Sequence, residues 1–162
     1  MTQDPHDLSK DPGGDFASEV RTYFGCGTQL QELYLSPELL SPKNWDDLAA
    51  AAKWSRANSA TLRDVHWLGG DPVKLEAYGW AAWSPAKGIV TLRNPSDRPA
   101  AFVLEAGAAF ELPAGAPGTF RVQSPYADAP APMTAVRGGE PLTIALRPFE
   151  VLVFECTPEP KR

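Results

Sequence analysis

Glycoside hydrolysis needs two carboxyl groups held about 5–10 Å apart across a sugar bond. The acids that the sequence offers for this are Glu32, Asp64, Asp71 and Glu76. Glu32 stands beside Gln31 in TQLQELYL, where it is either a site residue or an exposed strand residue. Asp71 lies between Gly69-Gly70 and Pro72, and its expected role is to organise a turn. A nucleophile–base pair would have to use His66, in Arg63-Asp64-Val65-His66-Trp67, because His6 sits in a polar, Asp/Pro-rich opening. Asp64 and His66 share one face of an extended segment and are expected to form a structural hydrogen bond at a domain junction, with no identifiable nucleophile beside them. Trp80 and Trp83 offer stacking surfaces for a sugar. Three residues apart, they face opposite sides of a strand, so one belongs to the core and the other to the surface or a contact. Walker, dinucleotide-binding, HExxH and GxSxG patterns and paired CxxC spacings are missing, so no cofactor and no metal site is expected.

The elements that would position these residues change character near Gly69-Gly70-Asp71-Pro72. Only four of the 17 prolines precede that point. Residues 1–15 read as a disordered lead-in. Residues 16–24 read as a short helix, with Phe16, Val20 and Tyr23 or Phe24 on one face. Residues 28–35 alternate and read as a strand. Ser36-Pro37 opens a helical turn, and Ser41-Pro42 opens a helix over about 42–57. Trp45, Leu48, Ala49 and Ala52 recur there at helical spacing and mark its expected apolar face. Residues 69–77 read as a hinge. From Tyr78 onward the pattern has period two, with strands expected at 78–84, 89–93, 101–105, 109–112, 119–123, 134–136, 142–146 and 150–154. Seven or eight short strands with turns between them predict a mainly β protein, an antiparallel β-sandwich preceded by a short strand and one or two helices.

The chain has 162 residues, enough for one ordinary domain with a core. Hydrophobic residues make up 43% and charged residues 22%, so the chain is globular. The net charge is −5 and no basic stripe exists, which argues against a nucleic-acid partner. No apolar run is long enough to span a bilayer, so no membrane partner is expected. The opening MTQDPHDLSKDPGG lacks the basic start and apolar stretch of a secretory signal, and no localisation is assigned. Cys26 and Cys156 form either two free thiols, the simpler reading, or one bridge.

The segments GTQLQELYLSP, W45–x2–LAAAAKWSRANSATLRD, HWLGGDP, YGWAAWSPAKGIVTLRNPS and LRPFEVLVFE together resemble the C-terminal end of bacterial α-galactosidase (melibiase-like) glycoside hydrolases, some of them labelled "enterotoxin". The resemblance covers about residues 16–156 and implies a (β/α)8 barrel followed by an antiparallel sandwich. It makes residues 16–68 the end of the barrel, with the last strand at 28–35 and the last helix at 42–57, and residues 78–156 the sandwich. In such enzymes the nucleophile and the acid/base are aspartates of earlier barrel strands, so the resemblance implies no catalytic residue here. It places Gln31 and Glu32 at the sugar-facing end of the last barrel strand. The expected role is an accessory sandwich that braces a barrel, with that barrel or a second copy of the chain as partner. The alternatives are a carbohydrate-binding module using Trp80 or Trp83, and a small hydrolase using Glu32 with Asp64 or Asp71.

Overall fold

A computed structural model describes residue 11 and residues 14–27 and 30–160. Helix α1 (Asp15–Gly25) opens this part of the chain. The Asp11 carboxylate accepts from the N–H groups of Asp15 and Phe16 at 2.9 and 3.0 Å, satisfying two amides that the first helical turn leaves open. A 3-10 turn (Pro37–Leu39) leads to α2 (Pro42–Ala57), and α3 (Ser59–Leu62) follows. Ser41 and Asn44 cap α2 reciprocally. The Ser41 hydroxyl accepts from the Asn44 N–H, and the Asn44 side-chain oxygen accepts from the Ser41 N–H.

Strands β1 (Val65–Gly69), β2 (Tyr78–Ser84), β3 (Lys87–Arg93), β4 (Ala100–Leu104), β5 (Thr119–Gln123), β6 (Ala135–Arg137), β7 (Leu142–Leu146) and β8 (Val151–Pro158) make up two antiparallel sheets, with a short helix α4 (Ala106–Ala109) after β4. The larger sheet has the order β1-β2-β3-β8-β5-β6, and the smaller pairs β4 with β7. The protein is therefore mainly β, an antiparallel sandwich with helices added.

The large sheet is the middle layer because strand alternation divides its side chains between two cores. One face carries Ala81, Val90, Leu92, Leu152 and Phe154, which pack with Phe102, Ile144 and Leu146 of the small sheet. The other face carries Ile89, Val151 and Val153, which pack with Phe16, Val20 and Phe24 of α1 and Leu48, Ala51 and Trp54 of α2.

Four sequence expectations change. Residues 30–36 do not form a strand: Tyr34 makes an isolated bridge, and residues 28–29 lie outside the described residues. Alternation alone does not satisfy this backbone, which needs a partner ladder to become a strand. In α2 the period is right but the face is rotated. Leu48 is buried with Asn44, Ala51, Trp54 and Ser55, while Trp45 and Ala49 are exposed. The expected strand at 109–112 is replaced by α4 and its closing turn, which begins at Glu105, the acceptor for the Gly107 and Ala108 N–H groups. Residues 69–77 are the connection of the β1–β2 hairpin rather than a hinge, since Val65–Gly69 pairs along its whole length with Tyr78–Ala82.

Candidate functional site: an aromatic platform on the β1–β2 hairpin

The β1–β2 register sets Trp67 opposite Trp80 and Gly69 opposite Tyr78. Tyr78 and Trp80 are two residues apart, and Trp67 is the cross-strand neighbour of Trp80, so all three rings emerge on the helix-facing side of the sheet. The Trp67 and Tyr78 rings stack with centroids 4.8 Å apart and planes 3° from parallel. Trp80 meets both edge-on, at 5.5 Å from Trp67 and 5.4 Å from Tyr78. This is the offset and T-shaped geometry that ring quadrupoles favour. α1 covers β3 and β8 but leaves this edge open: Trp67 is 46% exposed, and Tyr78 and Trp80 are half-buried.

A charged pair borders the rings. Arg93 of β3 is the register partner of Tyr78, and its guanidinium donates through two nitrogens to the Glu19 carboxylate of α1. The hydrogen bond to Glu19 holds the guanidinium above its ordinary pKa against the opposing effect of burial. The exposed Trp67 indole, backed by Tyr78 and Trp80 and set beside a guanidinium and a carboxylate, can stack on a ring and hydrogen-bond its hydroxyls.

The structure separates the residues singled out from sequence. Trp80 belongs to the platform. Trp83 emerges on the opposite face and packs against the inter-sheet core, with its indole N–H buried and without a partner among the described residues. His66 also points to that face, and its Nε2 lies 2.6 Å from the Ala109 carbonyl oxygen at the end of α4. It thus fastens β1 to α4 in place of the expected pair with Asp64, which is exposed one residue before the strand. Asp71 organises the hairpin connection. Its carboxylate accepts from the Val73 N–H at 2.9 Å, and its own N–H donates to the Glu76 carboxylate at 2.8 Å.

Gln31 and Glu32 part company. Gln31 lines a cleft of about 640 Å³ with Phe24, Leu33, Ser55, Arg56 and Arg63, and its amide nitrogen is buried without a partner among the described residues. Glu32 is exposed. Its carboxylate accepts from the Tyr34 hydroxyl, and its backbone carbonyl accepts from the Tyr23 hydroxyl. No carboxylate among the described residues lines that cleft. A second cleft, of about 400 Å³, is lined by Leu68, Phe102 and Glu105 among others. The Glu105 carboxylate accepts backbone hydrogen bonds from Gly139, Gly107 and Ala108, which hold it below the usual carboxylate range. That acid closes a helix and a turn. Among the described residues no group of three His, Cys, Asp or Glu side chains is arranged to hold a metal ion.

Sequence pattern alone does not single out Trp67, Tyr78, Arg93 or Glu19. The Tyr78–Trp80 spacing of two was a legible sign that both share a face; the contribution of Trp67 and Arg93 depends on strand pairing.

No protein-family model matches the chain, and no curated protein matches it by sequence. Solved structures do match by fold. A Bacillus halodurans protein assigned as an α-N-acetylgalactosaminidase superposes with a TM-score of 0.60 at 13% identity, over 88% of this chain and 31% of that one. A GH27 β-L-arabinopyranosidase from Geobacillus stearothermophilus gives a TM-score of 0.59 at 11% identity, over 90% and 31%. An α-amylase from Geobacillus thermoleovorans gives 0.58 at 14% identity, over 94% and 36%. The chain thus spans about a third of the length of these glycoside hydrolases, and what it shares with them across that third is the fold.

Proposed function

We propose that the chain is the non-catalytic C-terminal sandwich portion of an α-galactosidase-like glycoside hydrolase, and that it braces a (β/α)8 barrel. The observation that carries this reading is coverage: structures of whole hydrolases match about nine-tenths of this chain over only about a third of their own length. Two features of the chain support it. The acids that the sequence offers are committed elsewhere or exposed: Asp71 and Glu76 hold a turn, and Glu32 and Asp64 lie on the surface. The segment that would meet a barrel is apolar and open to solvent, with Leu30, Leu33, Tyr34 and Trp45 exposed.

The reading is tested by assaying the purified chain on aryl α-galactosides, α-N-acetylgalactosaminides and α-glucosides. The expected result is no hydrolysis above the buffer rate, and enzyme-like turnover overturns it. A barrel supplied on a separate chain is expected to co-purify with the wild type and less with Tyr34→Glu/Trp45→Glu. Equal retention of both overturns the bracing role.

A further inference from the structure

We propose that Trp67, Tyr78 and Trp80, with the Arg93–Glu19 pair at their side, form a saccharide-binding surface on the β1–β2 hairpin. The inference stands apart from the bracing role, because this hairpin lies on the sandwich itself and not in the 30–45 segment assigned to the barrel contact.

Three observations point to a sugar as the occupant. The first is shape and exposure. A wide sheet surface with three mutually ordered aromatic rings, one of them 46% exposed, is more apolar area than a solvated sheet edge needs for its own stability. Each ring is held by its neighbours, so a ligand meets a platform whose side-chain entropy is already spent. The second is the polar rim. Pyranose rings present apolar C–H faces flanked by hydroxyls, and a guanidinium and a carboxylate next to the aromatic faces supply both donors and acceptors for those hydroxyls. Arg93 and Glu19 neutralise each other, which suits an uncharged glycan better than an acidic one. The third is rigidity. Arg93 is the last residue of β3, paired there with Val151 of β8, and Glu19 comes from α1, so both are anchored in packed elements.

The platform contains no acid positioned for bond cleavage, so its role is to retain a glycan. In an enzyme it would keep a polymer near the catalytic domain, raising the local concentration of substrate without touching the scissile bond.

The test is a titration of the full chain by intrinsic tryptophan fluorescence and calorimetry. The ligands are galacto-, gluco-, manno- and arabino-oligosaccharides of two to six units. Saturable binding to at least one neutral series is expected, with a fluorescence change because the rings are the contact. Trp67→Ala, whose ring is partly in water, should fold as the wild type by circular dichroism and bind about tenfold more weakly. Trp67→Phe should recover part of the loss. Glu19→Gln, which leaves the rings intact, should weaken binding and alter preference among the sugars. Absence of saturable binding across the four series, or affinity unchanged in folded Trp67→Ala, overturns the proposal. So does protection of Trp67 by a barrel chain in place of a glycan.

Discussion

The indole N–H of Trp54 donates to the Glu155 carboxylate across 2.7 Å, joining the last turn of α2 to β8. Glu155 is 9% exposed and lies on the helix-facing side of the sheet, where a lone charge would be costly. Its other partners remove that cost. Lys87 of β3 reaches the second oxygen at 3.0 Å, and the Asn58 amide reaches the first at 3.2 Å. Lys87 also donates to the Asn58 side-chain oxygen at 2.9 Å, so four side chains from three regions close into one network. Glu155→Ala leaves the Trp54 indole without its acceptor, takes one bond each from Asn58 and Lys87, and is expected to destabilise the fold by ~2–3 kcal/mol in urea unfolding. Trp54→Phe, which removes one donor and keeps most of the ring, should cost less.

The same network sets a pH dependence. Burial raises the Glu155 carboxyl, but the hydrogen bonds from Lys87 and Trp54 and the charge of Lys87 outweigh it, and the group titrates below the ordinary glutamate value. With the folded value depressed, ionised Glu155 stabilises the protein above its unfolded value of about 4.3, and that contribution is lost as pH falls through the folded value. Urea midpoints of the wild type should therefore fall on acidification below about pH 5. Those of Glu155→Gln should start lower and fall less steeply over the same range.

Gly25 brings the end of α1 close against β3, where the Thr91 hydroxyl donates to its carbonyl oxygen at 3.3 Å. A Cβ there would lie 2.3 Å from the Thr91 hydroxyl oxygen, and Thr91 is wholly buried. Gly25→Ala is expected to lower stability by ~1–3 kcal/mol through overpacking, despite the better helix propensity of alanine. In a Thr91→Ala background, where the clashing hydroxyl is gone, the same change should cost distinctly less. Thermal melts of the four variants read the coupling directly.

Cys26 and Cys156 are both free, and their environments differ. Burial pushes the Cys156 thiol up to about 12 and also raises that of Cys26, which remains partly exposed. A thiol-specific reagent at about pH 8 should modify Cys26 first and Cys156 only after denaturant is added, because the thiolate is the reacting form. Mass spectrometry of the singly labelled protein identifies the site.

Much of the architecture is legible in the residues alone. Ser41-Pro42 and the spacing that follows announce α2, the runs at 119–123 and 142–146 are strands over those bounds, and the Trp80–Trp83 spacing requires opposite faces. These are local matters: a cap, a period and an alternation act within a few residues of each other. Tertiary context decided what depends on a neighbour. It left 30–36 irregular, since a strand needs a partner ladder, and turned the buried face of α2 by one position, since α1 and the sheet arrive from one side. It also sent His66 to Ala109 and gathered Trp67, Tyr78, Trp80, Arg93 and Glu19 from four elements into one surface. Residues up to 74 positions apart meet there only because antiparallel pairing and helix docking fix their register, and no short-range pattern encodes that pairing.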